Sequence, residues 1–112
     1  MSRTAAIEAL ANISVPIPEA VSCLAKFPWD SETELVQLNH ERFRNVLLQF
    51  KQGVLSEAEV ENWANALECR DDVGFATSFL RELLHELANP LLTQRLSSEQ
   101  ADLWLSQLQH AR

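Results

Sequence analysis

Glu68, Arg70, Asp71 and Asp72 fall within five consecutive positions, with Cys69 among them. Three kinds of chemistry use such a cluster: proton transfer between carboxylates, metal ligation by thiolate and carboxylate, or attraction of a basic partner. Proton transfer needs one carboxylate in an apolar cleft, so that the two pKa values separate. Asp71 and Asp72 are adjacent at a predicted helix end, where water is close, and nothing nearby in sequence supplies a desolvated second acid. A metal site needs spaced His or Cys ligands. His40, His85 and His110 are scattered, and "HELAN" puts Asn89 where the second histidine of a zinc-binding helix motif would stand. No metal and no cofactor is expected. Gly53 and Gly74 are isolated, so no glycine-rich phosphate cradle forms. No serine sits in a nucleophile-elbow motif, and neither cysteine has a marked basic neighbourhood. The chain is therefore expected not to be an enzyme. The plain alternative for the knot is a helix end tied off, with Arg70 bridging a carboxylate and Asp72 helping to turn the chain.

The elements that would position these residues read as helices. Residues 3–13 place Ala6, Ile7, Leu10 and Ile13 on one face. Pro16 and Pro18 interrupt the chain, and Pro18 suits the first turn of a helix over 18–26. Residues 31–38 read as an extended connector or an isolated turn, with Ser31 and Glu34 as a candidate capping box. A clear helix spans 40–52: Asn39 is its N-cap, Phe43, Val46, Leu47 and Phe50 its apolar stripe, and Gly53 its stop. Ser56 and Glu59 form a capping box for the next helix, with Val60, Trp63, Ala64 and Leu67 inward. A helix ending at Asn89-Pro90 carries Leu83, Leu84 and Leu87. The last helix opens at Ser97-x-x-Gln100 and buries Ala101, Trp104, Leu105 and Leu108. No convincing sheet is visible. The expected fold is all-α, a single domain over 1–112 built as a bundle of five or six short helices, with short loops setting neighbours antiparallel or steeply crossed.

With its apolar stripe inward, the helix over 57–68 carries Glu57, Glu61 and Glu68 on one flank. Glu57 and Glu61 are a like-charge i, i+4 pair, costing roughly 0.2–0.5 kcal/mol in an isolated helix. Glu57 recovers part of this from the helix dipole. Asp71 and Asp72 extend the negative surface, and Asp30, Glu32 and Glu34 make a second acidic run. A charge run is usually a solvated face, here neutralised in part by Arg42, Arg44 or Arg81. The alternative is a docking surface that steers a basic protein. Trp63 and Trp104 have core spacing. Trp29, in a proline-broken loop beside acids, suits either a lid on the core or an exposed interface anchor.

Composition sets the outer bounds. The 112 residues suit one domain, and 16 acidic residues against nine basic ones give a formal charge of −7. That balance disfavours direct nucleic-acid binding, which needs a basic patch. No apolar run approaches the roughly 20 residues that span a bilayer, and the N-terminal "MSRTAAIEALANI" has no signal-peptide pattern. Cys23 and Cys69 do not make a disulfide framework, so a reducing cytoplasm is expected, with no membrane partner.

Residues 43–92 carry a further pattern: Gly53-Val54-Leu55-Ser56, Glu59, Trp63-Ala64, Leu67-Glu68, Arg70-Asp71-Asp72-Val73, then Leu87-Ala88-Asn89-Pro90. In this the chain resembles a group of small, acidic, helical bacterial proteins, several of which resemble immunity proteins of contact-dependent growth inhibition and other polymorphic-toxin systems. The resemblance implies a protein that binds the toxin domain made by the same strain and blocks its active site. It also implies that Trp63, Ala64, Leu67 and Pro90 are framework, that Glu68 pairs with Arg70, and that Asp71 and Asp72 form the exposed edge of a scaffold joint. The expected partner is a basic nuclease domain. The expected contacts are Trp29 as apolar anchor with Asp30, Glu32, Glu34, Glu57, Glu61, Glu68, Asp71 and Asp72 as the charge. A helical adaptor or self-associating module is the alternative.

Overall fold

A computed structural model of the chain describes residues 2–68, 70–92 and 95–110, which leaves Cys69 outside. Six helices follow one another: α1 (Arg3–Ala11), α2 (Ile17–Leu24), α3 (His40–Lys51), α4 (Glu57–Leu67), α5 (Ser78–Ala88) and α6 (Ser98–His110). Their ends follow from local chemistry. Ser2, Asn39, Ser56 and Thr77 each accept a hydrogen bond from a first-turn N–H, and Ser56 and Glu59 complete the expected capping box. The Ser97 hydroxyl accepts from the Gln100 N–H at 3.1 Å, the first half of the box expected there.

Two helices end in the same C-terminal motif with different residues. After α3, the Gly53 N–H bonds Phe50 and the Val54 N–H bonds Gln49, with Gly53 at φ +78°. After α1, the Ile13 N–H bonds Leu10 and the Ser14 N–H bonds Ala9, with Ile13 at φ +51°. Glycine takes this left-handed conformation without strain; a β-branched residue does not. Ile13 packs against the core, and that burial offsets the strain. This explains why α1 stops at Ala11 and not at the expected residue 13.

Helices α4 and α5 pack most extensively, followed by α1 on α2 and α3 on α6. Trp63 is fully buried at their centre; its indole N–H donates to the Leu10 carbonyl at 2.9 Å. Phe43 meets it edge-on, with ring centroids 5.6 Å apart. Trp104 is also buried, so both core tryptophans lie where the periodicity puts them.

The fold is mostly helical but not purely so. Two three-residue strands, β1 (Val36–Leu38) and β2 (Val73–Phe75), pair in parallel with Val36 opposite Val73 and Leu38 opposite Phe75. This corrects the all-α expectation. In β1, Val36 and Leu38 are buried and Gln37 is exposed, an alternation too short to register as a period. β2 has a glycine at its centre, a residue depleted in strands. The Glu34 carboxylate lies over Gly74, in the space that a Cβ would enter, so a larger residue there would displace that side chain.

Candidate acidic cleft beside the second strand

The charged knot divides into two environments. Asp72 is 0% exposed. Its Oδ1 accepts from Arg70 Nε at 2.9 Å, and its Oδ2 accepts from Arg70 Nη2 at 3.0 Å and from Arg3 Nε at 2.7 Å. Both arginines also donate to the Pro28 carbonyl, at 2.9 and 2.8 Å, and Arg3 reaches the Asp30 carbonyl at 2.6 Å. The Asp71 N–H donates to the Trp29 carbonyl at 3.1 Å. The clamp thus ties the start of α1, the loop at 28–30 and the approach to β2 into one joint. Burial by itself raises the Asp72 pKa; the hydrogen bonds from Arg70 and then Arg3, with their positive charges, outweigh it and hold the carboxyl below its ordinary 3.8.

Asp72 therefore cannot be the exposed edge expected of it, and it leaves the list of partner-contacting residues. The partner that draws it inward, Arg3, is 69 residues away in sequence. The expected Glu68–Arg70 pair is likewise replaced. Arg70 belongs to Asp72, while both Glu68 oxygens accept from Asn89 Nδ2 at 3.3 Å, with His85 Nδ1 3.4 Å from one of them.

Next to this joint opens a cleft of about 790 Å³ between β2 and α5. Val73, Phe75 and Leu84 give it an apolar floor. Its walls carry five carboxylates (Glu34, Glu68, Asp71, Glu82 and Glu86) against Arg70, Arg81 and His85. The Arg81 guanidinium lies 5.2 Å from the Phe75 ring centroid, a cation–π contact that occupies part of its charge. Acids thus outnumber arginines around an apolar floor, an arrangement suited to a cationic chain with apolar groups.

The other expected contacts lie elsewhere. Glu57 and Glu61 sit half-buried where α4 meets α5 and α6, and Glu57 holds Arg95 Nε at 3.0 Å to each of its oxygens. Asp30 and Glu32 are exposed on the loop before β1. Trp29 is 50% exposed, stacked 5.0 Å from the Arg70 guanidinium. It lines a separate groove of about 320 Å³ with Ile17, Pro18 and Val21 of α2 and Asn62 and Asn65 of α4. Of the nine expected residues, Glu34, Glu68 and Asp71 share the cleft. Arg81, expected only as a neutralising charge, and His85 with Glu86, considered only as half a zinc motif, join the cleft wall from the outer flank of α5, together with Glu82, which the sequence does not single out.

Among the described residues, no three His, Cys, Asp or Glu side chains are placed to hold a metal ion, and no helix is long and apolar enough to cross a membrane. No family model, curated protein or solved structure matches this chain. The reading of the cleft therefore rests on its own geometry and charge.

Proposed function

We propose that this chain is a cytoplasmic immunity-type binding protein, which neutralises a cognate toxin domain with a basic surface, a nuclease, by occluding its active site. One observation carries this reading: Glu34, Asp71 and Glu82 reach solvent at the rim of an apolar-floored cleft, and none of the three is drawn into an ion pair with an arginine or lysine among the described residues. Such a surface raises the rate of encounter with a basic partner and orients it. The protein contributes binding and requires neither a catalytic residue nor a cofactor.

The test is co-expression with the product of the adjacent upstream gene. A complex should co-purify, the partner's nuclease activity should fall on titration, and Glu34→Lys, Asp71→Lys and Glu82→Lys together should slow association. A stable complex whose association rate ignores the triple reversal removes the cleft from the interface; no complex and no inhibition removes the immunity reading.

A second reading, a self-associating or adaptor module, is favoured by one specific feature. Leu91 and Leu92, after the Pro90 that ends α5, are 98% and 78% exposed. Adjacent exposed leucines are unusual on a surface that meets only water. Concentration-dependent mass in light scattering, abolished by Leu91→Ser with Leu92→Ser, would favour that reading.

A further inference from the structure

β2 is paired on one side only among the described residues. In a parallel ladder one residue gives both its N–H and its C=O to the neighbouring strand, and the alternate residues turn theirs away. The Val36 N–H bonds the Asp72 carbonyl and the Ala76 N–H bonds the Leu38 carbonyl, so Gly74 faces β1 while Val73 and Phe75 turn their main-chain groups outward. Two of those outward groups are already used: the Val73 N–H donates to Arg70 at 3.4 Å, and the Phe75 carbonyl accepts from Gln37 Nε2 at 3.3 Å. The Val73 carbonyl and the Phe75 N–H remain, without partners outside the ladder among the described residues. They flank Gly74 as one acceptor and one donor, the spacing that a single residue of a parallel strand satisfies with its own N–H and C=O.

That edge opens on the acidic cleft. Val73 and Phe75 line it, with Glu34 from the approach to β1, and no residue of β1 itself does, so the cleft borders β2 where its unpaired main-chain groups lie. We infer that the cleft takes an extended, lysine- or arginine-rich segment of the partner as a third strand, parallel to β2, with its main chain bonded at Val73 and Phe75 and its cations among Glu34, Asp71 and Glu82. Main-chain pairing supplies affinity in this mode, and the flanking groups select the side chains. The inference rests on the binding-protein reading and names how the partner is held. The same acids keep the edge from pairing with a second copy of this acidic chain.

The test uses an acetylated hexapeptide of alternating Lys and Val as probe, with two relatives N-methylated on every Lys or on every Val. The parent should shift the amide resonances of Val73 to Phe75 and slow hydrogen exchange at the Phe75 N–H. One methylated relative should bind about tenfold more weakly, because it loses the donor to Val73 and the close approach to Phe75, while the other stays near the parent. Equal binding by all three peptides, shifts that avoid β2, or no binding by the parent each overturn the strand addition. Those results leave a co-purifying toxin complex untouched. A peptide that pairs with β2 in a protein inhibiting no toxin keeps the strand addition and removes the toxin instead.

Discussion

Between Asp71 and Asp72 the chain passes from a solvated cleft rim to a site with no solvent contact. Asp71 is exposed beside the cleft; Asp72 accepts three hydrogen bonds from two arginines. Two chemically identical groups, one peptide apart, thus have different surroundings, one tying the fold together and the other facing solvent at the cleft. The difference comes from the elements that converge on them. Arg70 lies two positions before Asp72 and Arg3 comes from the start of α1, and both are held by the Pro28 carbonyl as well, so Asp72 gains two fixed donors that Asp71 lacks. A negative residue marks a binding surface only when the fold leaves it without such partners.

The largest effect expected from this contrast is on stability. Asp72→Asn keeps the shape but leaves two guanidinium groups facing a neutral amide, one of them buried. Breaking a buried ion pair from one side costs about 3 kcal/mol or more, read as a lower urea midpoint at unchanged slope. Asp71→Asn should stay within about 0.5 kcal/mol. Equal losses for the two variants would erase the contrast.

Acid should reveal the same clamp. Because the folded-state pKa of Asp72 lies below the ordinary 3.8, its stabilisation is fully present above that value and is lost as the pH falls through the folded value. Unfolding free energies measured from about pH 5 down to about pH 2 should drop in this window. In Asp72→Asn that component of the slope should vanish. A slope unchanged by the substitution would mean that other carboxylates drive acid unfolding.

The cleft rim should respond in the opposite sense. Glu82→Lys and Asp71→Lys should leave the unfolding midpoint nearly unchanged while weakening the Lys-Val peptide, and rising salt should weaken the wild-type complex too. A reversal that unfolds the protein, or binding that ignores both charge and salt, would show that these acids do not serve the partner.

What the sequence reveals follows the same division between local and distant causes. Ser56 with Glu59, Asn39, Gly53 and the Trp63 stripe are local patterns, and the helices they imply are present at nearly the expected bounds. The two strands are not legible because three residues do not make a period, and because a glycine at the centre of β2 argues locally against a strand. The burial of Asp72 is not legible either, because Arg3 stands 69 positions away. In the cleft, Glu34, Glu68 and Asp71 stand out by charge alone, and Arg81 and His85 are visible as charges on α5, but nothing local to α5 shows that its outer flank meets β2 across a cleft. The two expected acidic runs divide among a cleft, a helix seam and a loop, with Trp29 on another groove, because linear charge runs carry no information about which side of a neighbouring helix they meet.

The smallest expected effect sharpens the comparison most, since it holds geometry nearly constant. Arg95 Nε meets both Glu57 oxygens at 3.0 Å, almost the 2.9 Å at which Arg70 Nε meets Asp72. By distance the two pairs are alike. Arg95, however, is 82% exposed on its side chain, so water already solvates its charge and salt screens the attraction. Exposed pairs of this kind couple by about 0.2–1 kcal/mol, and holding a long side chain in place takes back part of that. A double-mutant cycle of Glu57→Gln and Arg95→Gln should therefore give a coupling under about 1 kcal/mol, shrinking further in high salt. The same cycle on Arg70 and Asp72 should give several times more and vary little with salt. If the two couplings match, hydrogen-bond length would determine the strength of these pairs, and the exclusion of solvent around Asp72 would not be what separates it from its neighbour.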